Sequence, residues 1–529
     1  MENKPKNLKQ KDIFVASIDI GTNSTHLLIA KLDSKLNSFT IKFTEKSTTR
    51  LGERDEDGNL TEKSINRVLE TLKRFKEYSL SYDVERILAS ATSAVRESPN
   101  GKDFINKIKD EVGLHVELIS GAEEARLIYL GVLSGMDFEN RSHIILDIGG
   151  GSTELILANS NETKALTIAR VGALRLKNDF ALDQPLNKER IEFLKTFILG
   201  SLEPSVGKIK KRINENENIS MIATSGTAIS LANLISSGLD EPKKKMHGYK
   251  FKKEDLELIL QKLYQMSSSE IKKISSLSER RSEIIIPGGL ILETCMEMLD
   301  IKELTISERS LREGLVVDWM IRKGMFENKF AIQSDIRKTT VIHQADKFSV
   351  DKLKSEKVAS IALQIYDQTH NILHNDQNNR GKSLLWAACF LYTVGKQINL
   401  TGYHKHSWYL IKNFELLGYS LDEKNIIAAI ARYHRKTLPK KRHESWQNLI
   451  SIEDKDIALD MSLILRLAAA INKRPDPIIS SIKIKLSDNV IRFKLISAEK
   501  VKNIILEKWS LESCHEVIKQ LKDLDLKVV

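Results

Sequence analysis

The sequence predicts an α/β fold with two similar domains around a cleft, followed by an all-helical domain and a small α+β C-terminal module. Three observations predict it: one motif occurs twice, strand and helix patterns alternate up to about Met320, and the spacing of apolar residues then changes. Apolar residues first recur at helical spacing and, from Pro475, alternate with charged ones, which is typical of strands. We expect domains at residues 12–128, 129–325, 326–474 and 475–529.

The repeated motif reads "IDIGTNSTHLLIA" near the N-terminus and "LDIGGGSTELIL" 128 residues later. Each copy begins with an apolar run that ends in an aspartate, Asp19 or Asp147. An apolar run also follows each turn, so the chain should return as a second strand. Each copy is therefore predicted to be a β-hairpin, whereas the glycines of a dinucleotide or Walker motif lead into a helix.

The two turns have the composition of an anion site. Glycine allows backbone N–H groups to approach an anion closely, and hydroxyl groups add further donors. Two hairpins facing each other across a cleft would hold a phosphoryl group, although ordinary tight hairpins remain an alternative. The strand–turn–helix pattern of "SMIATSGTAISLANLI" offers a further helix N-terminus. The predicted phosphate-binding residues are Thr22, Asn23, Ser24, Gly149, Gly150, Gly151, Ser152, Thr153, Ser225, Gly226 and Thr227.

Two more segments supply charged candidates. "ERILASATSAVRES" reads as a strand running into a polar loop with Arg96, whose guanidinium can fork onto phosphate oxygens. "HVELISGAEEARLIYLGVLSG" reads as a strand and then a helix from about Ser120, with Glu123 and Glu124 in its first turn. Acidic residues complement the helix dipole there. The same dipole would keep such a carboxylate ionised at neutral pH, as a general base requires.

The bulk composition is that of a globular protein with an excess of positive charge. The 529 residues include 82 Lys and Arg against 71 Asp and Glu, a net charge of +11. The excess indicates either a well-solvated lysine-rich surface or a polyanionic partner. Basic clusters lie at 208–212, 242–253 and 432–443. No apolar run reaches the roughly 18 residues that span a bilayer. The polar N-terminus and three scattered cysteines predict a cytoplasmic protein with reduced thiols.

Together the motifs resemble a known family. "IDIGTNSTHLLIA", "ATSAVRE", "ISGAEEARLIYLGV", "LDIGGGSTELIL", "ATSGT" and "SERSLREGLV" occur in this order over roughly residues 13–320. This part of the chain is similar to the exopolyphosphatase and guanosine pentaphosphate phosphohydrolase family. Members of that family have two actin-like (ribonuclease H-like) domains, as acetate and sugar kinases do. The resemblance implies hydrolysis of a terminal phosphoanhydride bond, with inorganic polyphosphate or guanosine pentaphosphate as substrate. A kinase or ATPase, or a module that binds phosphate polymers without turnover, is the alternative.

The resemblance also assigns roles to individual residues. The family pattern places the general base on the second glutamate, Glu124, and Arg96 is expected to contact phosphate. Asp147 and Glu154, with Asp19, offer hard oxygen ligands at the hairpins that suit Mg²⁺ or, alternatively, Mn²⁺.

The C-terminal part resembles the helical domain of longer family members, which is similar to metal-dependent HD-type phosphohydrolases. The stretches "GYHKHSWYLI" and "ARYHRK" carry this likeness. Tyr392 and Thr393 stand where an HD domain has its His-Asp pair, and Lys354 and Ala469 replace further ligands. His404, His406 and His434 remain. Because three histidines without a carboxylate make a poor binuclear site, we expect a catalytically silent domain. We also expect a homodimer. Neither a specific nucleic acid nor a membrane is expected as a partner.

Overall fold

A computed structural model of the chain forms two compact units, Met1–Ile336 and Arg337–Val529. It describes residues 12–33, 38–139, 141–180, 185–214, 217–238, 245–325, 336–377, 379–414, 416, 419, 421–449, 451–497 and 503–529. The predicted start of the helical domain at 326, and the first residues of the basic cluster at 242–253, fall outside these ranges. The domain boundaries therefore stay predictions.

The first sheet contains the first copy of the motif. β1 pairs with β2 antiparallel and with β4 parallel, so the predicted hairpin lies in the middle of the sheet order β3-β2-β1-β4-β5. One face packs on helices through residues such as Ile18, Leu72, Phe75 and Phe104. The elements are β1 (Ile13–Ile20), β2 (Thr25–Asp33), β3 (Ser38–Ser47), α1 (Glu62–Ser81), β4 (Arg86–Ala91), α2 (Ser93–Arg96), α3 (Gly101–Val112) and β5 (Val116–Leu118).

The second sheet repeats this topology. Its order is β10-β11-β9-β6-β7-β8, and β6 and β7 form the second predicted hairpin. The strands are β6 (His143–Ile148), β7 (Thr153–Ala158), β8 (Thr163–Ala169), β9 (Ser220–Thr224), β10 (Lys250–Lys252) and β11 (Glu303–Ile306). The helices are α5 (Ala173–Phe180), α6 (Lys188–Lys210), α7 (Ser225–Ser237), α8 (Lys253–Tyr264), α9 (Ser268–Lys272), α10 (Glu279–Ser282) and α11 (Ile285–Met298).

Two helices, α4 (Gly121–Leu133) and α12 (Leu311–Arg322), join the halves of this unit. Their apolar faces share one core with residues of both sheets, among them Leu28 and Ile145. The helices touch through Gly131 and Gly314. A methyl group at either glycine would lie 1.8 Å from a carbonyl oxygen of the other helix or its N-cap. This contact requires glycine because the backbones leave no room for a side chain.

The C-terminal unit has its own core of helices and a three-stranded sheet, β12-β13-β14. Asp488 and Asn489 turn the predicted hairpin with φ of 51° and 62°. The expected closing helix is instead two short helices, and the strand β14, parallel to β13, was not predicted. The elements are α13 (Ile336–Lys347), α14 (Lys352–Gln368), α15 (Arg380–Leu391), a 3₁₀ turn (Val394–Gln397), α16 (Tyr403–Asn413), α17 (Leu421–Tyr433), α18 (Glu444–Gln447), α19 (Ile452–Ile471), β12 (Ile479–Ser487), β13 (Val490–Ser497), α20 (Ile505–Glu512), α21 (His515–Lys522) and β14 (Asp525–Val528).

Two further properties of the fold concern the cysteines and possible membrane spans. The three cysteines, Cys295, Cys389 and Cys514, are buried and unpaired. In the described part of the chain, every helix is too short or too polar to traverse a bilayer.

Candidate active site

The two hairpin turns face one small cavity of about 180 Å³ in the first unit. The turns have the same closure: Gly21 N–H donates to the Ser24 carbonyl at 3.1 Å, and Gly149 N–H donates to the Ser152 carbonyl at 2.9 Å. The cavity brings together most of the predicted site residues, namely Asp19, Thr22, Asn23, Ser24, Glu124, Asp147, Gly149, Gly150, Ser152, Glu154, Ser225, Gly226 and Thr227.

Three predicted residues do not line the cavity. Thr153 is fully buried, and its hydroxyl donates to the Val171 carbonyl at 2.6 Å. Successive side chains of a strand point to opposite faces, so Thr153 faces away from the side on which Ser152 and Glu154 lie. Gly151 lies behind the lining, where a Cβ would come within 2.8 Å of Ser93 Oγ. The prediction that Thr153 offers its hydroxyl to phosphate is therefore wrong.

Arg96 is the third of these residues. It closes the short helix α2, and its Nη1 donates to the Ile119 carbonyl at 2.9 Å and to Glu124 Oε2 at 3.1 Å. It thus pairs with the carboxylate of Glu124, whose burial requires a charged partner. The expectation that Arg96 forks onto phosphate stays a prediction.

The first turn of α4 separates its two glutamates. Ser120 caps the helix by accepting the Glu123 N–H at 3.2 Å. Glu123 turns outward, where Arg126 binds both of its carboxylate oxygens at 2.7 and 2.8 Å. Glu124 is buried and lines the cavity. This arrangement confirms that only one of the pair faces the cleft, and that the one facing it is Glu124.

Desolvation governs the ionisation of this glutamate. Burial raises the pKa of Glu124 to about 7, against the opposing charge of Arg96 and with reinforcement from Asp19. Desolvation likewise raises the pKa of Asp19 to about 7. The helix dipole does not by itself set the ionisation of Glu124, because the cost of burying the charge raises the pKa against it. A carboxylate with a pKa near 7 is nevertheless well matched to general-base work at neutral pH.

Asp147 and Glu154 lie directly opposite each other across the β6–β7 hairpin. Ser310 Oγ donates to Asp147 Oδ2 at 2.5 Å, and Ser152 Oγ donates to Glu154 Oε1 at 2.7 Å. Desolvation raises the pKa of both carboxyls, and Glu124 and Asp147 raise that of Glu154 further. Four carboxyls in so small a space repel one another unless protons or a cation neutralise them.

The carboxyls fit a hard divalent cation. Among the described residues, the buried Oδ1 of Asp19 has no hydrogen-bond partner. No group of three or more acidic, histidine or cysteine side chains in the described ranges could form a metal shell by itself. Mg²⁺ does not need one, because it commonly uses one or two carboxylates and completes its shell with water and substrate phosphates.

The cavity also contains Arg281, which the sequence interpretation missed. Its Nη1 donates to Thr227 Oγ1 at 3.1 Å. A Cβ at Gly226 would lie only 1.7 Å from its Nη2. Desolvation, with help from the neighbouring Arg280, lowers the pKa of Arg281 to about 10, so the group stays charged at neutral pH. The absence of a side chain at Gly226 therefore makes room for a cation at the start of α7.

Arg280, Arg312 and Ser310 line the cavity as well. Ser310 and Arg312 belong to "SERSLREGLV", one of the motifs that carry the family resemblance. Arg280 and Arg281 are adjacent in "LSERRSE", just before the apolar run of α11. Two adjacent arginines just before the N-terminus of a buried helix are the signal that could have identified Arg280 and Arg281.

In the C-terminal unit, two of the three retained histidines serve the core. His404 and His434 are buried. His434 Nδ1 donates to the Ala431 carbonyl at 2.7 Å, and its Nε2 lies 3.1 Å from the Tyr403 hydroxyl. Burial lowers the pKa of His434 to about 3, so it is neutral. The HD-type interpretation of this unit stays a prediction.

Comparison with known proteins places the chain in a family. The sequence model of the Ppx/GppA phosphatase family matches residues 28–323, and its domain III matches residues 336–515. The crystal structure of the Aquifex aeolicus family member is 28% identical, with a TM-score of 0.51, and the match covers 59% of this chain and 99% of that one. An exopolyphosphatase from Cytophaga hutchinsonii is 29% identical, with a TM-score of 0.54, over 59% and 98% of the two chains. The chain therefore belongs to the Ppx/GppA phosphatase family and is a phosphoanhydride hydrolase.

Proposed function

We propose that the cleft removes the terminal phosphate of inorganic polyphosphate by hydrolysis and releases orthophosphate. The observation that carries the proposal is a single cavity lined by both hairpin turns, three arginines and a glutamate whose pKa is about 7. Its volume of about 180 Å³ suits a phosphate end. Pockets for drug-sized ligands begin at about 300 Å³. His26 is the one ring among the described lining residues, so the cavity offers little to a nucleobase.

The residues divide the work of phosphoryl transfer. Glu124 takes a proton from a water molecule, whose oxygen attacks the terminal phosphorus. The bond from phosphorus to the bridging oxygen breaks, and its electron pair stays with the shortened chain. Arg281, Arg312 and the N–H groups of the turns stabilise charge on the non-bridging oxygens. Arg96 positions the carboxylate of Glu124.

The same proposal includes a divalent cation. Asp147 and Glu154, with Asp19, would hold Mg²⁺ or, alternatively, Mn²⁺. When bound, the cation would neutralise phosphate oxygens as the transferred group departs. The support comes from the unpartnered Oδ1 of Asp19 and the desolvated carboxyls around it.

Guanosine pentaphosphate is the alternative substrate. Its terminal phosphate would enter the same turns, with the nucleoside outside the cavity. Polyphosphate is favoured because the lining is suited to phosphate alone and because the chain has a net charge of +11. The substrate test is phosphate release from long polyphosphate, tripolyphosphate, guanosine pentaphosphate and ATP, each with and without Mg²⁺. We expect the fastest release from polyphosphate with Mg²⁺. Faster release from guanosine pentaphosphate would overturn the choice of substrate.

The role of Glu124 is tested with a matched pair of variants. Glu124→Gln should lower kcat by about 10²- to 10⁴-fold, the usual contribution of a general base, without loss of the folded state. Glu123→Gln changes the same charge one residue away, where Arg126 holds it outside the cavity. We expect this control to keep kcat near wild type. Near wild-type turnover in Glu124→Gln, or equal losses in both variants, would refute the assignment.

A further inference from the structure

The two hairpins of the cleft differ at one position that has no role in the reaction described so far. In the second hairpin, Glu154 lies opposite Asp147 across β6 and β7. In the first hairpin, the residue opposite Asp19 across β1 and β2 is His26. A histidine therefore occupies the position that a glutamate has in the other copy of the motif, and it lines the same cavity.

Each of these two side chains bonds to the serine two residues before it. Ser152 Oγ donates to Glu154 Oε1 at 2.7 Å. Ser24 Oγ lies at the same distance, 2.7 Å, from His26 Nε2. A hydroxyl group has one proton and two lone pairs. Because Ser152 gives its proton to Glu154, only the lone pairs of its oxygen remain for the cavity.

The imidazole ring can reverse the direction of this hydrogen bond. A neutral histidine carries its proton on one of the two ring nitrogens, and the other nitrogen accepts. When Nε2 bears the proton, the ring donates to Ser24 Oγ, and the hydroxyl proton of Ser24 is free to point into the cavity. Phosphate oxygens are acceptors, so a serine that showed them only lone pairs would repel them. A phosphate at Ser24 therefore requires the proton of His26 on Nε2.

The surroundings of His26 argue against a different role, that of a phosphate-binding cation. Desolvation, and then the charges of nearby cations, lower the pKa of His26 well below its usual value. These cations are Arg312, Lys46, Arg280 and Arg281. The ring is therefore neutral at neutral pH. It contributes through the direction of its hydrogen bond and not through a charge.

We infer that His26 is the positioning residue of the first turn: it donates from Nε2 to Ser24 and so presents the hydroxyl proton of Ser24 to the terminal phosphate. The two turns then offer different chemistry. The first offers a proton to phosphate, and the second offers oxygen lone pairs, which suit the proposed cation. The inference rests on the proposed function only in placing a phosphate at the turns, and it is the same for polyphosphate and guanosine pentaphosphate.

The first test compares two replacements of His26 in the full chain, with whichever of the two substrates the wild type hydrolyses faster. His26→Gln supplies an N–H group near the position of Nε2 and should keep kcat/KM near wild type. His26→Met cannot donate and should lower kcat/KM about tenfold or more, the loss expected for a hydrogen bond to a charged group. His115→Met, the same change at an exposed histidine outside this cavity, is the control and should have no effect.

Ser24→Ala separates positioning from a purely structural role. If His26 acts through Ser24, His26→Met should cause no further loss in a protein that already carries Ser24→Ala. A residue that only supports the fold would add its own loss. Additive losses, or a His26→Gln variant as impaired as His26→Met, overturn the inference. If His26→Met melts early, His26→Asn, whose shorter side chain cannot take the place of Nε2, replaces it in both comparisons.

The position of the proton can also be observed directly. Nitrogen-15 NMR of the protein labelled at histidine distinguishes a protonated ring nitrogen from an unprotonated one. The signals of His26, identified by their loss in His26→Gln, should show the proton on Nε2. A proton on Nδ1 overturns the inference. Because this measurement needs no turnover, its outcome is separate from the success or failure of the proposed reaction.

Discussion

Gly226→Ala tests how the cleft holds its buried cation. The new methyl carbon would lie 1.7 Å from Nη2 of Arg281 and 2.5 Å from its Cζ. Those atoms form the far end of a flexible side chain, so the clash is relieved when the guanidinium moves. The backbone of α7 need not shift. We therefore expect a folded protein in which Arg281 has left its hydrogen bond to Thr227.

The size of the effect follows from the contact that is lost. A hydrogen bond to a charged group contributes about 1.5–3 kcal/mol. If Arg281 makes one such contact to phosphate in the transition state, kcat/KM should fall by about 10- to 150-fold, at about 1.36 kcal/mol per factor of ten. The free energy of unfolding should change little, because the helical preference for alanine over glycine, about 0.5–1 kcal/mol, opposes the cost of displacing the guanidinium.

The assay is phosphate release from polyphosphate, with thermal melting measured in parallel. Gly200→Ala, a helical glycine of α6 with nothing within 4 Å of a new Cβ, is the control and should leave kcat/KM unchanged. If the methyl acts through Arg281, Gly226→Ala should add nothing to Arg281→Ala. A kcat/KM near wild type in Gly226→Ala, or additive losses in the double variant, would refute the reasoning.

Two further changes test the base and the helix contact. The kcat/KM should rise with pH up to about 7 and then level, because desolvation raises the pKa of Glu124 to about 7 and only the ionised carboxylate accepts a proton. Glu124→Gln should abolish this rise. If the rise persists in the variant, it belongs to another group. Gly131→Ala should destabilise the protein by about 1–3 kcal/mol or more, measured as a lower urea midpoint, because the clash is with backbone. Gly207→Ala, with open space around it, should not, and equal midpoints in the two variants would contradict the account.

The fold could be predicted because its signals are local and repeated. The two copies of the motif, each followed by an apolar run, indicated the two hairpins that the structure places in equivalent positions of the two sheets. The Asp488-Asn489 turn was also readable, since both residues tolerate positive φ. The family interpretation is confirmed by the match over residues 28–323.

The missed features depend on tertiary contacts. Arg281 enters the cavity because Gly226, more than fifty positions earlier, leaves room for it. The burial that raises the pKa of Glu124 comes from elements distant in sequence, whereas the dipole that was expected to prevail is local. Thr153 differs for a local reason, because strand alternation places its side chain on the face opposite that of Glu154. The break between α20 and α21 likewise divides a stretch whose apolar spacing reads as one helix.

The contact between Gly131 and Gly314 has a consequence for how this enzyme can be altered. One helix of the pair bears Glu124, and Ser310, which holds Asp147, begins the other. Because the backbones of α4 and α12 contact each other directly there, neither helix can slide along the other. Glu124 and Ser310 are therefore held at fixed positions relative to each other. Variants made to change substrate preference should therefore keep both glycines and instead alter cavity-lining side chains such as Arg280.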